Sequence, residues 1–220
     1  RRSSDLTLAA QAAGFQGAKV KVGLPRVADD VARLSAVRRA VGDAFEIMVD
    51  ANQCFTLSEA LRRAPAYADL GIAWFEEPLP ADDITGHVRL AAASRVPIAV
   101  GESLYSPTQF AAYVQQGACS IVQVDVARVG GITPWLKVAH LAECHNLAVA
   151  PHFLMELHAS LTAAAPAAAW VEYIPQLDAV ASSRLVIEDG HAVAPDTPGL
   201  GIEWIPDEIA RRTRDLRRIA

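Results

Sequence analysis

The sequence predicts an α/β fold, a parallel (β/α) barrel of the TIM type. Three observations carry that expectation. Apolar runs of buried-strand length alternate with helical stretches along most of the chain. The runs end on ionisable residues, as strands do when their C-terminal ends face a common site. Three of those ends are acids at equal intervals: Asp50 closes Ile47-Met48-Val49, Glu76 closes Ile72 to Phe75, and Glu102 closes Ile98 to Gly101, 26 residues apart each time.

The elements follow in order. Ser4 to Gly14 reads as a capped helix. Ala18-Lys19-Val20-Lys21-Val22 is a strand with both lysines on one face. Arg26 to Val41 places Val27, Val31, Leu34, Val37 and Val41 on one helical face. After the strand ending at Asp50, Ser58 to Leu70 is helical, with a kink or a late start expected at Pro65. The strands ending at Glu76 and Glu102 come next. Ser106-Pro107 then caps a helix that Gly117 stops. Ile121 to Val124 leads to Asp125, and Thr133-Pro134 opens another helix. Leu147 to Ala150 leads through Pro151 to His152, and Trp170-Val171 leads to Glu172.

That makes seven strands, and a closed barrel needs eight. The chain opens on a helix, so the missing strand is expected to be the first, upstream of Arg1. With 220 residues the chain reads as a piece, or the ordered part, of a longer protein. A seven-strand open barrel would leave two unprotected edges. We expect the barrel domain over residues 1–184, and a different unit over 185–220. In the latter, Leu185 to Val193 is a hairpin with an Asp189-Gly190 turn, and Pro206 to Ala220 a terminal helix.

Composition narrows the function classes. The chain is 52% hydrophobic and 20% charged, which describes a globular protein with a large core. No apolar stretch is long enough to span a membrane. The net charge of −5 argues against nucleic acid. The arginines Arg211, Arg212, Arg214, Arg217 and Arg218 alternate with acids and read as a solvated face. Cys54, Cys119 and Cys144 lack metal-ligand spacing, so reduced thiols and a cytoplasmic setting are expected. A homo-oligomer is expected as well.

The chemistry follows from the acids. Three bare carboxylates aimed at one point need a cation between them, and the economical one is a hard divalent ion, Mg2+. Lys19 and Lys21 share a face, so each should depress the other's pKa and let one act as a base. Asp125 can fix the tautomer of His152. Glu172 can be a protonated acid donating to a substrate carboxylate. Asn52 is a candidate contact to substrate or to metal-bound water. Arg128 is either a salt-bridge partner of the acids or a substrate ligand. This equipment suits removal of a proton beside the carboxylate of a small molecule.

The residues resemble the enolase superfamily, for which a lysine or histidine base with magnesium is characteristic. Lys19-Val20-Lys21-Val22-Gly23, Val49 to Gln53, Trp74 to Leu79, Gly101-Glu102-Ser103 and Pro151-His152-Phe153 are similar to its mandelate racemase subgroup. The resemblance implies metal ligands at Asp50, Glu76 and Glu102, a base at Lys21, and an Asp125–His152 dyad. It also implies Lys19 beside the substrate carboxylate and Glu172 as that carboxylate's partner. An N-terminal α+β capping domain is implied as well, and it is absent from this sequence. Muconate-cycloisomerase-like members carry a lysine near position 128, where Arg128 stands here and stays protonated. Glucarate-dehydratase-like members have an asparagine in place of Glu102. The segments Asp125 to Pro134 and Pro151 to His158 are most similar to galactarate/talarate-type acid-sugar dehydratases.

The resemblance thus implies dehydration of a hexarate or hexonate to a 2-keto-3-deoxy acid. The alternatives are a racemase or epimerase of a 2-hydroxy acid, and a barrel that binds without catalysis. His87, His158 and His191 have no partner pattern. Glu77 reads as a loop or supporting residue, and Trp74, Trp135 and Trp170 as core.

Overall fold

A computed structural model of the chain describes residues 3–214. Six strands form one parallel sheet in sequence order: β1 (Gly17–Lys21), β2 (Glu46–Asp50), β3 (Ile72–Glu76), β4 (Ile98–Val100), β5 (Ile121–Val122) and β6 (Ala148–Val149). Helices fill the crossovers: α1 (Ser3–Ala12) precedes the sheet, and α2 (Val27–Val41), α3 (Leu57–Asp69), α4 (Ile84–Ala93), α5 (Pro107–Gln115) and α6 (Ile132–Cys144) link successive strands. α7 (Met155–Ala163) follows β6. This is the barrel core that strand–helix alternation predicts.

The local signals explain most element ends. Thr56 Oγ1 caps α3, Asp83 caps α4, and Ser106 caps α5 ahead of Pro107. α3 runs through Pro65 without a late start. α6 begins at Ile132 behind Gly131, one residue ahead of the Thr133-Pro134 expected to open it. The inner face of α2 buries Leu34, Val37 and Val41, and with them Asp30, which a hydrophobic pattern does not foresee.

The seventh strand is a correction. Trp170-Val171 forms no strand; one parallel bridge, Val149 to Ala168, is what pairs with β6 there. Pro166 supplies no N–H, and the outer side of this segment meets no neighbouring strand among the described residues. The sheet therefore curls into an arc whose two ends face each other without a ladder. They are joined by side chains instead: Lys19 Nζ on β1 lies 2.6 Å from Glu172 Oε1, and the Phe15 and Tyr173 rings are 5.0 Å apart. A cavity of about 700 Å³ lies along this seam, bordered by Lys19, Trp74, Gln123, Glu172 and Ile187.

Beyond the barrel, β7 (Val186–Glu188) and β8 (His191–Val193) form the expected hairpin around Asp189-Gly190. α8 (Pro206–Arg212) is shorter than the terminal helix expected to Ala220: it ends at Arg212, where Thr213 turns extended; Arg217 and Arg218 lie outside the described residues. Among the described residues no helix is long and apolar enough to cross a membrane.

Candidate active site

Register places the acids. Lys21 pairs with Asp50 across β1 and β2, and Asp50 with Glu76 across β2 and β3. β4 stops at Val100, so Glu102 reaches the group from the loop beyond it. Gly101 makes that reach feasible: its φ is +156°, and a Cβ there would lie 2.5 Å from the Gln123 backbone. Oxygens of Asp50, Glu76 and Glu102 all come within 4.8 Å of one another.

Each acid has its own surroundings. Asp50 Oδ1 accepts the Asn52 N–H at 2.8 Å, and Oδ2 accepts from Lys21 Nζ. Lys21 also donates to Asn52 Oδ1 at 2.6 Å. Glu76 is fully buried and accepts from Lys19 Nζ, Trp74 Nε1 and Gln123 Nε2, at 2.6, 3.1 and 2.6 Å. Burial pushes its carboxyl above the usual range, against the pull of Lys19. Glu102 Oε1 lies 3.4 Å from Arg128 Nη1, and Oε2 lies 3.3 Å from His152 Nε2.

The donor set fits a hard divalent ion. All three donors are carboxylate oxygens, and two are buried with cations as their counter-charges. These three residues would hold such an ion, whose preference for oxygen ligands they match.

The dyad forms just beyond the ends of β5 and β6. His152 Nδ1 lies 2.9 Å from Asp125 Oδ2, while Asp125 Oδ1 accepts the N–H groups of Ala127 and Arg128. Burial raises the Asp125 carboxyl, but the His152 hydrogen bond and the two N–H groups outweigh it and hold it low. Arg128 donates to the Glu102 carbonyl at 2.6 Å and lies 3.7 Å from Asp125, so it sits as a salt-bridge partner of the acids. Lys19 lies 2.6 Å from both Glu76 and Glu172.

Two expectations change here. Burial pulls the Lys19 ammonium down, but Glu76 and Glu172 reverse that and leave its pKa raised, so mutual depression by Lys21 does not govern Lys19. Glu172 is not a neutral acid in this arrangement. Burial raises it, yet Lys19 and the Phe153 N–H hold it below its ordinary value.

Sequence reasoning missed several participants. Trp74 lies two residues before Glu76 on the same strand face, and that alternation was its signal. Gln123 is a polar residue inside an apolar run, which needed a buried partner. Gln53 joins the acids' outer rim, donating to Ser103 Oγ at 2.8 Å and to the buried Glu77 at 3.3 Å. His158 carried no recognisable pattern.

Comparison with known proteins agrees with this geometry. The L-talarate/galactarate dehydratase of Salmonella typhimurium is 43% identical over 203 residues, covering 92% of this chain and 50% of that protein. The 3,6-anhydro-alpha-L-galactonate cycloisomerase of Streptomyces coelicolor is 38% identical over 192 residues, covering 87% of this chain and 53% of that protein. The chain thus spans about half the length of these curated relatives. Among solved structures, L-talarate dehydratase from Polaromonas sp. JS666, complexed with Mg and L-glucarate, superposes with a TM-score of 0.88 at 41% identity, covering 94% of this chain and 59% of that one. Residues 4–208 match the "Enolase C-terminal domain-like" family. The chain belongs to the enolase superfamily, in its mandelate-racemase subgroup.

Proposed function

We propose that this barrel, within the protein that carries it, removes the proton α to the carboxylate of an acid sugar and eliminates the β-hydroxyl. The product is a 2-keto-3-deoxy acid, and the substrate a hexarate or hexonate. One observation carries the reading: in sheet order the three acids stand between Lys21 on one flank and the Asp125–His152 dyad on the other.

Asp50, Glu76 and Glu102 would hold a magnesium ion. Such an ion supplies Lewis-acid stabilisation of the negative charge that develops on the substrate carboxylate. Lys19, kept cationic by its two acids, offers a second positive charge beside that carboxylate. Lys21, once released from Asp50 and deprotonated to the neutral amine, takes the α-proton and becomes the ammonium. His152 in its protonated form gives a proton to the β-oxygen as the C–O bond breaks, so the hydroxyl leaves as water. Asp125 stabilises that imidazolium and sets its orientation. The resulting enol ketonises to the product. The relatives named above include a dehydratase of acid sugars, which supports this choice of reaction.

The same two flanking bases also fit a racemase or epimerase of a 2-hydroxy acid, in which Lys21 and His152 act in turn on opposite configurations. A cytoplasmic setting is part of the proposal and is supported by free thiols at Cys54, Cys119 and Cys144.

Incubating the intact protein and magnesium with a panel of acid sugars, and trapping keto acids with semicarbazide, tests the proposal. Keto-acid formation from a hexarate or hexonate, abolished by chelation, is the expected result. Efficient mandelate racemisation without dehydration of any acid sugar would favour the racemase.

A further inference from the structure

His158 on α7 has none of its surface exposed, yet both ring nitrogens are in use. Nε2 meets the N–H of Val126 at 3.2 Å, and Nδ1 meets the carbonyl of Phe153 at 2.6 Å. An N–H pointing at Nε2 requires that nitrogen to be bare, and a carbonyl at Nδ1 requires a proton there. The ring is therefore the neutral Nδ1–H tautomer. Burial, which pushes this imidazole below its ordinary pKa, agrees with that.

The two backbone groups it holds are significant. Val126 directly follows Asp125, and Phe153 directly follows His152. Neither is in the sheet ladder, since β5 ends at Val122 and β6 at Val149. Side chains take the place of the ladder. Trp135 Nε1 donates to the Val124 carbonyl at 3.1 Å, so the backbone is gripped on both sides of Asp125. On the histidine side, Phe153 has φ +63° and Leu154 φ +29°. Left-handed backbone at residues other than glycine is strained and persists only where its surroundings hold it. Glu172 accepts the Phe153 N–H at 2.8 Å and His158 takes its carbonyl, so the turn after His152 is held from both ends of one residue.

We propose that His158 is a positioning residue for the dyad: its neutral ring clamps the segment after Asp125 to the segment after His152, and so sets the orientation of the His152 imidazole. This rests on the reading that His152, besides protonating the leaving hydroxyl, can when neutral exchange the α-proton of the configuration opposite to that served by Lys21. A core histidine that only satisfies backbone groups would support the fold as a whole. A clamp acts on the His152 flank and leaves Lys21, whose partners are Asp50 and Asn52 rather than any clamped group, much less affected.

The test follows α-proton exchange in deuterium oxide, on substrates of both α-configurations, in the intact protein with magnesium. His158→Phe keeps a ring and loses both hydrogen bonds. Exchange on the configuration served by His152 should fall about tenfold or more beyond any fall on the Lys21 configuration, since sub-ångström misplacement of a reacting group has effects of this size. His158→Gln, whose amide offers one donor and one acceptor, should recover part of the loss. Nitrogen NMR of the unsubstituted protein should show His158 protonated at Nδ1 alone at neutral pH, a readout that holds even if the phenylalanine variant fails to fold. Parallel loss on both configurations, no loss on either, or an Nε2-protonated or charged His158 would overturn the clamp. If His152→Asn itself leaves exchange untouched on both configurations, the base reading fails and the clamp with it. Failure of the clamp alone shows differently: His152→Asn silences one configuration while His158→Phe does not discriminate.

Discussion

His152 and Asp125 meet through Nδ1 and Oδ2 at 2.9 Å, leaving His152 Nε2 directed toward Glu102 at 3.3 Å. One carboxylate thus fixes which face of the imidazole is turned toward the acid cluster. Asp125 is well suited to this, because two backbone N–H groups hold its other oxygen and keep the carboxyl ionised. Asp125→Asn retains the shape and removes the charge. His152-dependent exchange should fall by about two to four orders of magnitude, with magnesium affinity little changed. Rate measurements beside calorimetric metal titration check this; an unaltered rate would separate Asp125 from the chemistry.

Gly101 should govern how well Glu102 reaches the other two acids. A Cβ there runs into the Gln123 backbone, and φ +156° is unfavourable for any other residue. Gly101→Ala should weaken magnesium binding by about tenfold or more, the size of effect seen when the support of a ligand is lost. Calorimetry reads this directly. Equal affinity in both proteins would mean that Glu102 is placed by other contacts.

The loop after Lys21 hangs on a buried ion pair. Asp30 accepts from the N–H groups of Gly23 and Leu24 and from Arg63 at 2.6 Å, and both charged groups are almost wholly buried. Arg63 also donates to the Leu24 carbonyl. Asp30→Ala leaves Arg63 with Glu59, at 2.8 Å, as its carboxylate partner and takes the acceptor from the Gly23 and Leu24 N–H groups, which should cost about 3 kcal/mol. Urea denaturation measures it. A loss under about 1 kcal/mol would show that the arginine finds other partners.

The acid side of the stability profile should carry a signature of His158. Its folded pKa lies below the ordinary 6.5, because burial disfavours the charged ring. For a base shifted down, the stabilisation is fully present above the unfolded value and is lost as pH falls from there toward the folded one. The ionised Asp125 and Glu172, also shifted down, lose their contributions at lower pH. Glu76 and Glu77 are shifted up, so their effect runs the other way and is common to both proteins compared. The stability gap between the unsubstituted protein and His158→Gln should therefore narrow between pH 7.5 and pH 5, as thermal melts at about those values would show. A gap that is constant or widens would contradict a neutral His158.

Much of the site was legible because strand ends in a parallel barrel converge. Asp50, Glu76 and Asp125 needed only the apolar runs before them to be placed. Periodicity could not foresee what depends on long-range partners. Asp30 looks like a first-turn surface acid until Arg63 arrives from the next helix. Trp170-Val171 has strand-forming residues, but the pairing there ends at Ala168. His158 sits on an apolar helix and reveals its use only when two loops fold against it. Glu172 looked like a proton donor because the sequence does not show that Lys19 reaches it across the seam.

The central claim is that two bases flank one metal site and serve opposite configurations. Stereospecific α-proton exchange in deuterium oxide tests it most directly, comparing Lys21→Ala and His152→Asn in the intact protein with magnesium. Each variant is expected to lose dehydration while keeping exchange on the one configuration served by the surviving base. Full exchange on both configurations in either variant would contradict it.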